Sequence, residues 1–282
     1  MKQVQAKRKK SIIPGFGMSM GITVAMLSLI ILIPLASVLA YSFRLSGKEF
    51  AELLTRPNVV QAFVTSIGCA LAAAVINCIF GVILAWVLVR YEFPGKRLMD
   101  GMIELPFALP TAVAGITLTK MYSDSGFLGR AFEKMGIEIA YTKTGIVIAM
   151  IFIGIPFVVR AIQPVLETLS PSYEEAAYML GASRTTAFFR IVFPEIRPAL
   201  LTGFGLALAR GIGEYGSVIY ISGNSEKNGT QVVSYVIMQK LNSGNVDYEG
   251  AAAIALVLLV VSFLMLFAIN VIQYVASRRT NA

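Results

Sequence analysis

Six apolar runs, each long enough for a membrane-crossing helix, alternate with short polar segments along the 282 residues. They occupy 21–43, 60–89, 101–122, 145–166, 199–222 and 251–275. A hydrocarbon core about 30 Å thick takes roughly 20 helical residues to cross. The pattern therefore predicts an all-α polytopic membrane protein with six transmembrane helices. Pro34, Pro106, Pro110 and Pro156 fall inside these runs, so kinks or a re-entrant turn are expected, and the third run has the least defined ends. The polar segments 44–58, 123–143 and 223–249 are too short to fold as domains of their own. The chain thus divides into a basic tail over 1–20, one transmembrane domain over 21–275 and a short tail over 276–282. A signal peptide would also begin with a basic stretch, and Val38 and Ala40 resemble a cleavage motif, but the first apolar run is longer than a signal h-region and reads as an anchor.

Composition agrees with the pattern: 56% of residues are apolar and 14% charged, and the mean hydropathy is +0.73. The charges also orient the chain. With the N-terminus inside, one face collects fourteen Lys and Arg, from Lys2 through Arg90, Arg160 and Arg190 to Arg279, and the other collects nine, from Arg44 to Lys240. That excess predicts both termini in the cytoplasm. It also accounts for the net charge of +8 without nucleic acid, which would need basic and aromatic residues on a soluble surface. No histidine occurs, which excludes Ser-His-Asp and Cys-His catalysis and His-ligated metals. Cys69 and Cys78 share the second run, about 13 Å apart along a helix, too far for a disulfide. Asn228-Gly229-Thr230 has the spacing of a glycosylation acceptor and reads instead as an outer-face turn.

The most informative polar segment lies between the fourth and fifth runs. Ser172 stands three residues before Glu175, the spacing of a capping box, and Gly181 supplies a left-handed stop. Ser183 is placed to cap a second short helix, rich in Phe188, Phe189, Ile191, Val192 and Phe193, which Pro194 and Pro198 are expected to end. Two short helices at a sharp corner are predicted. In the fifth run, residues 211–216 satisfy G-x-G-x-x-G, but an apolar helix precedes them where a dinucleotide fingerprint needs a strand. A four-residue period fits better: Gly205, Ala209, Gly213 and Ser217 form a ridge of small residues suited to close helix packing, and Gly81 and Ala85 form a shorter one. Arg210 and Glu214, one turn apart near the middle of that run, read either as an ion pair that neutralises itself or as lining groups of a polar path.

The order Glu175, Ala176, Ala177, Gly181, Ile191, Pro194 resembles the EAA loop of permease subunits from ABC importers, with Phe193 where that family usually has Leu. The segments 106–118, 164–198 and 207–224 extend the resemblance to the sulfate and thiosulfate permeases of T type, over nearly the whole chain from the first run. It implies a type I ABC importer permease (MetI-like) fold in the bacterial inner membrane and a cytoplasmic coupling loop over 170–197. It implies an ATPase-docking set of Glu174, Glu175, Ala176, Ala177, Gly181, Ala182, Ile191 and Pro194, with Arg210, Gly213 and Glu214 as candidates for the pathway or its gate. The implied partners are a second permease subunit of W type, two cytoplasmic ATPases, an extracytoplasmic sulfate/thiosulfate-binding protein and the lipid around them. The chain has no G-x-x-x-x-G-K-[ST] loop, so ATP-Mg would be used by the partner ATPase, with no cofactor, metal or catalytic residue on this chain. Molybdate or tungstate permeases share much of the fifth-run pattern and are the alternative. A self-sufficient channel or carrier would leave the loop spacing unexplained, and the absence of an internal repeat weighs against a carrier. A membrane hydrolase using Glu104, Glu214 or Asp247 lacks a paired carboxylate or nucleophile.

Overall fold

A computed structural model describes residues 15–280, with side chains described through residue 275. The basic stretch 1–14 and the last two residues lie outside the described residues. In chain order the helices are α1 (Phe16–Ser42), α2 (Gly47–Leu54), α3 (Pro57–Arg90), α4 (Lys96–Ala108), α5 (Thr111–Tyr122), α6 (Phe127–Glu133) and α7 (Lys143–Thr168). They continue with α8 (Ser172–Met179), α9 (Arg184–Ala187), a π-helical turn (Phe188–Val192), α10 (Phe193–Ile212), α11 (Val218–Ile221), α12 (Val233–Asn242) and α13 (Tyr248–Thr280).

Among the described residues, five helical stretches are long and apolar enough to cross a membrane: α1, α3, α7, the continuous path Arg184–Ile212 and α13. The third expected span is broken instead: α4 and α5 meet at an angle of 114°. Leu109 is extended and Pro110 precedes the first turn of α5. Proline disfavours the helical conformation in the residue before it and offers no N–H, so the break falls at Leu109-Pro110 for a local reason.

The core is the triangle of α3, α7 and α10. In a bilayer, helices associate where small residues let backbones approach. Val158 of α7, fully buried, is wedged between two such residues: a Cβ on Gly81 would lie 2.6 Å from its Cγ1, and one on Gly203 would lie 2.8 Å from its Cα. Gly211 meets Ala70 in the same way, at 3.1 Å. Gly81 and Ala85 thus pack as their spacing predicts. On α10 the close-packing row is Gly203, Ala207 and Gly211, all buried. The expected row of Gly205, Ala209, Gly213 and Ser217 does not form, because α10 ends at Gly213, which is exposed, and Ser217 lies beyond the break. Gly205 rests against Ile269 and Leu266 of α13.

A second, smaller cluster joins α2, α3, α12 and α13 through Leu53, Val59, Ala62, Val233, Val236 and Ile254. Ser46 and Glu49 close a capping box at the start of α2. The turn around Gly229 folds inward: Thr65 Oγ1 donates to its carbonyl at 2.8 Å, and Ser66 Oγ accepts from Val233 N at 2.8 Å. Asp247 joins α12 to α13, accepting from Lys240 Nζ and from Gly250 N, each at 2.7 Å. Partial burial works to raise its carboxyl pKa, but these two donors and the charge of Arg56 outweigh that and hold it below the usual 3.8. Helix α1 leaves almost all of its surface uncovered and touches the rest of the chain along α13.

Candidate coupling corner and pathway residues

The corner begins where α7 runs out. Three residues after Thr168, Pro171 stands at the N-cap of α8 with its backbone already right-handed helical. Pro171 O therefore accepts from Glu175 N at 3.1 Å, and Ser172 lies inside the helix with its hydroxyl paired to Ser170. The expected Ser172–Glu175 capping box is displaced by that earlier start.

The end of α8 follows the sequence reading. Gly181 has φ +83, its N–H donates to Tyr178 O at 2.9 Å, and Ala182 N donates to Ala177 O at 3.0 Å. These two bonds make a Schellman motif, which needs a left-handed residue and therefore favours glycine. Ser183 then caps α9, its Oγ accepting from Thr186 N at 3.2 Å. Pro194 and Pro198 do not end that helix. The π turn over Phe188–Val192 widens the spiral just ahead of Pro194 and admits its ring, and the helix continues to Ile212. One run of helix thus joins the corner to the core.

Glu174 is the buried acid of the corner. Its carboxylate lies 3.1 Å from Arg90 Nη2, with the two side chains 10% and 13% exposed. The approach is an ion pair without hydrogen-bond alignment, since Glu174 Oε1 has no hydrogen-bond partner. Arg90 also donates to Leu169 O at 3.0 Å and lies over the Trp86 ring. The last turn of α3 is thereby clamped to both ends of the α7–α8 link. Glu175 and Ala176 face outward, Ala177, Ala182, Ile191 and Pro194 are half-buried, and Gly181 is exposed. Beside them Met179 and Leu180 stand 89% exposed, a bare apolar tip at a polar corner. A groove of about 620 Å³ runs between α3 and the corner, lined by Trp86, Arg90, Glu174, Tyr178, Arg184 and Phe188. Sequence reading missed Arg90 as the partner of the loop; a lone cation on the last turn of a long apolar helix was the available signal.

Arg210 and Glu214 pair directly. Glu214 is 2% exposed and also accepts from Ser217 N at 2.8 Å and Ser217 Oγ at 3.0 Å, while its backbone carbonyl accepts from Ser234. The carboxylate thus restarts the helix at α11 after the break at Gly213. Arg210 remains about one third exposed. That break faces the one between α4 and α5: a Cβ on Gly216 would lie 2.1 Å from Thr111 Oγ1, and one on Gly115 would lie 2.4 Å from Ser217 O. Two interrupted helices meeting in this way bring polar backbone to membrane depth, which is tolerated only inside protein or along a water-filled path.

The arrangement is that of a helical membrane subunit with an exposed corner between α8 and α9 and a pair of facing helix breaks. Residues 77–281 match the family described as binding-protein-dependent transport system inner membrane component. The chain belongs to that family and is a transport permease subunit, not an enzyme. It is 44% identical over 274 residues to the sulfate transport system permease protein CysT of Escherichia coli (strain K12), covering 97% of this chain and 98% of that protein. It is 45% identical to the protein of the same name from Synechococcus elongatus, covering 89% and 90%. Among solved structures, a bacterial ABC transporter involved in import of the acidic polysaccharide alginate superposes with a TM-score of 0.76 at 15% identity, over 92% of this chain and 95% of that one. This last likeness concerns the fold alone.

Proposed function

We infer that this chain is one permease half of an ATP-driven importer of sulfate or thiosulfate. What carries the reading is near end-to-end identity, at 44%, with permease proteins named for sulfate transport. In the proposed complex it pairs with a related second permease in the bacterial inner membrane, with both termini in the cytoplasm. The α8–α9 corner docks one of two ATPases, seating Met179 and Leu180 in an apolar groove and offering Glu175 to a basic group. An outer binding protein delivers the anion and supplies most of the selectivity.

Transport follows by alternating access. Closure of the ATPases on ATP-Mg moves the corner, and the continuous helix from α9 through the π turn to α10 carries the motion to the breaks near Gly213 and Pro110. Arg210 supplies a positive charge beside those breaks, partly screened by Glu214. The test is uptake of labelled sulfate by cells that lack other sulfate permeases and express this chain with its neighbouring transporter genes. Sulfate or thiosulfate uptake that needs ATP is expected. Molybdate uptake without sulfate uptake would move the assignment to a molybdate permease, and uptake without an ATPase would make the chain a carrier.

A further inference from the structure

Helix α4, the first arm of the broken span, is poorly anchored by apolar contact. It buries only Ile103 and Pro106, rests the half-buried Met99 against the core, and adds one edge-on ring contact, Phe107 on Phe157 at 5.1 Å. Its polar face carries Asp100 and Glu104, one turn apart, and both meet the same cation of α7. Arg160 Nη1 lies 2.8 Å from Asp100 Oδ1, and Nη2 lies 2.8 Å from Glu104 Oε1. Nη2 also donates to the backbone carbonyl of Asp100 at 3.2 Å, so the arm is held by its main chain as well as by its side chains. Gln163 aligns the fork from the α7 side, its Oε1 accepting from Nη1 at 2.5 Å while its Nε2 reaches Glu167 at 3.2 Å.

The position of this fork matters as much as its bonds. Arg160 lies about two turns before the end of α7, and α7 leads directly into the docking corner. The arm it holds ends at Leu109-Pro110, the break that packs against Gly216 and Ser217. Arg160 therefore sits between the corner and the facing breaks. The two carboxylates are 40% and 59% exposed, so screening keeps the pairs weak as a source of stability. What a planar fork supplies is geometry: it engages two carboxylates and a carbonyl at once, as the point charge of a lysine cannot.

We propose that Arg160 is a positioning residue for transport: it fixes the α4 arm to α7, so that motion of the docking corner is passed to the pathway break at Pro110. The proposal rests on the importer reading above. It requires that losing the fork uncouple ATP hydrolysis from anion movement without dismantling the complex.

The experiment measures uptake per ATP hydrolysed in proteoliposomes holding the complete complex, after confirming that each variant copurifies with its ATPase in normal amount. Arg160→Gln should lower that ratio by about tenfold, within the range that changes along a coupling network produce. The double change Asp100→Asn with Glu104→Gln, which keeps the cation, should lower it similarly. Combining all three should lower it no further, because they break the same interaction. Arg160→Lys should recover only part of the ratio. A normal ratio in either Arg160→Gln or the carboxylate pair overturns the proposal, and the second serves if the first fails to assemble. The two readings fail separately: a wild-type complex that moves molybdate but not sulfate removes the sulfate assignment, and the same comparison then runs on molybdate. A chain that copurifies with no ATPase removes the importer reading and this proposal with it.

Discussion

Gly181 shows how far a single residue could be read before its surroundings were known. A glycine just past a short helix predicts a left-handed stop, and the observed φ of +83 with its two Schellman bonds is that stop. A Cβ there would meet nothing within 4 Å, so Gly181→Val acts through the backbone alone. The left-handed conformation costs an L-residue roughly 1–2 kcal/mol. The variant should insert normally but release its ATPase on purification, whereas Gly181→Asn, which tolerates that conformation, should retain most of it. Normal ATPase stoichiometry in Gly181→Val would contradict the docking role. Glu174 is the opposite case. Nothing near it in sequence distinguishes it from Glu175, and its partner Arg90 is brought in by tertiary packing. Removing one partner of a mostly buried pair leaves the other uncompensated and costs about 3 kcal/mol. Glu174→Gln should lower the unfolding midpoint of the detergent-solubilised complex, and adding Arg90→Gln should restore part of the loss. Glu175→Gln should leave that midpoint unchanged and weaken only ATPase binding.

Among the elements, α3, α7 and α13 could be read from hydropathy because length and apolarity settle a membrane helix almost alone. The third and fifth runs were legible only in part. Leu109-Pro110 was visible as a trouble spot, but the 114° bend depends on what α5 packs against. Just ahead of the fifth run, Pro194 and Pro198 read as terminators of the second short helix because a proline leaves a carbonyl unpaired. The π turn that accommodates Pro194 has no composition signal of its own. The small-residue ridge was misplaced by two positions for a related reason: period four fits two overlapping sets on α10, and only the neighbouring Val158 and Ala70 decide between them. Gly203→Leu should therefore abolish assembly, since its Cβ would meet the Val158 backbone at 2.8 Å, while Gly213→Ala should assemble normally. Yield of the membrane complex is the measurement, and the reverse ranking would place the helix seam on the other row. At the junction of α12 and α13, the lowered pKa of Asp247 makes a pH prediction. Its contribution is complete above the ordinary value of 3.8 and is lost as pH falls through the lower folded value. Thermal unfolding in detergent should thus show an acid-induced loss below about pH 4 that Asp247→Asn reduces.

For the whole molecule, sequence and structure supply different halves of one argument about orientation. The structure fixes which segments share an end. Arg90 and Glu174 hold the last turn of α3 against the α8–α9 corner, while Thr65, about 37 Å earlier along the same helix at its normal rise, holds the turn at Gly229. The corner and that turn therefore lie toward opposite faces of any bilayer spanned by α3. Contacts alone do not say which face is the cytoplasm. The charges supply that expectation: in the sequence, the segments expected on the side of the corner carry the larger share of Lys and Arg. Ser183→Cys, exposed at the corner, should resist an impermeant maleimide in intact cells and react once the cells are opened. Asn228→Cys, exposed on the opposite turn, should react in intact cells. Reaction at 183 with protection at 228 would keep the fold and invert its orientation, making the charge count the step that failed. Reaction at both in intact cells would mean that α3 does not cross the membrane as a single helix, which no reassignment of loops could reconcile with its packing against α7 and α10.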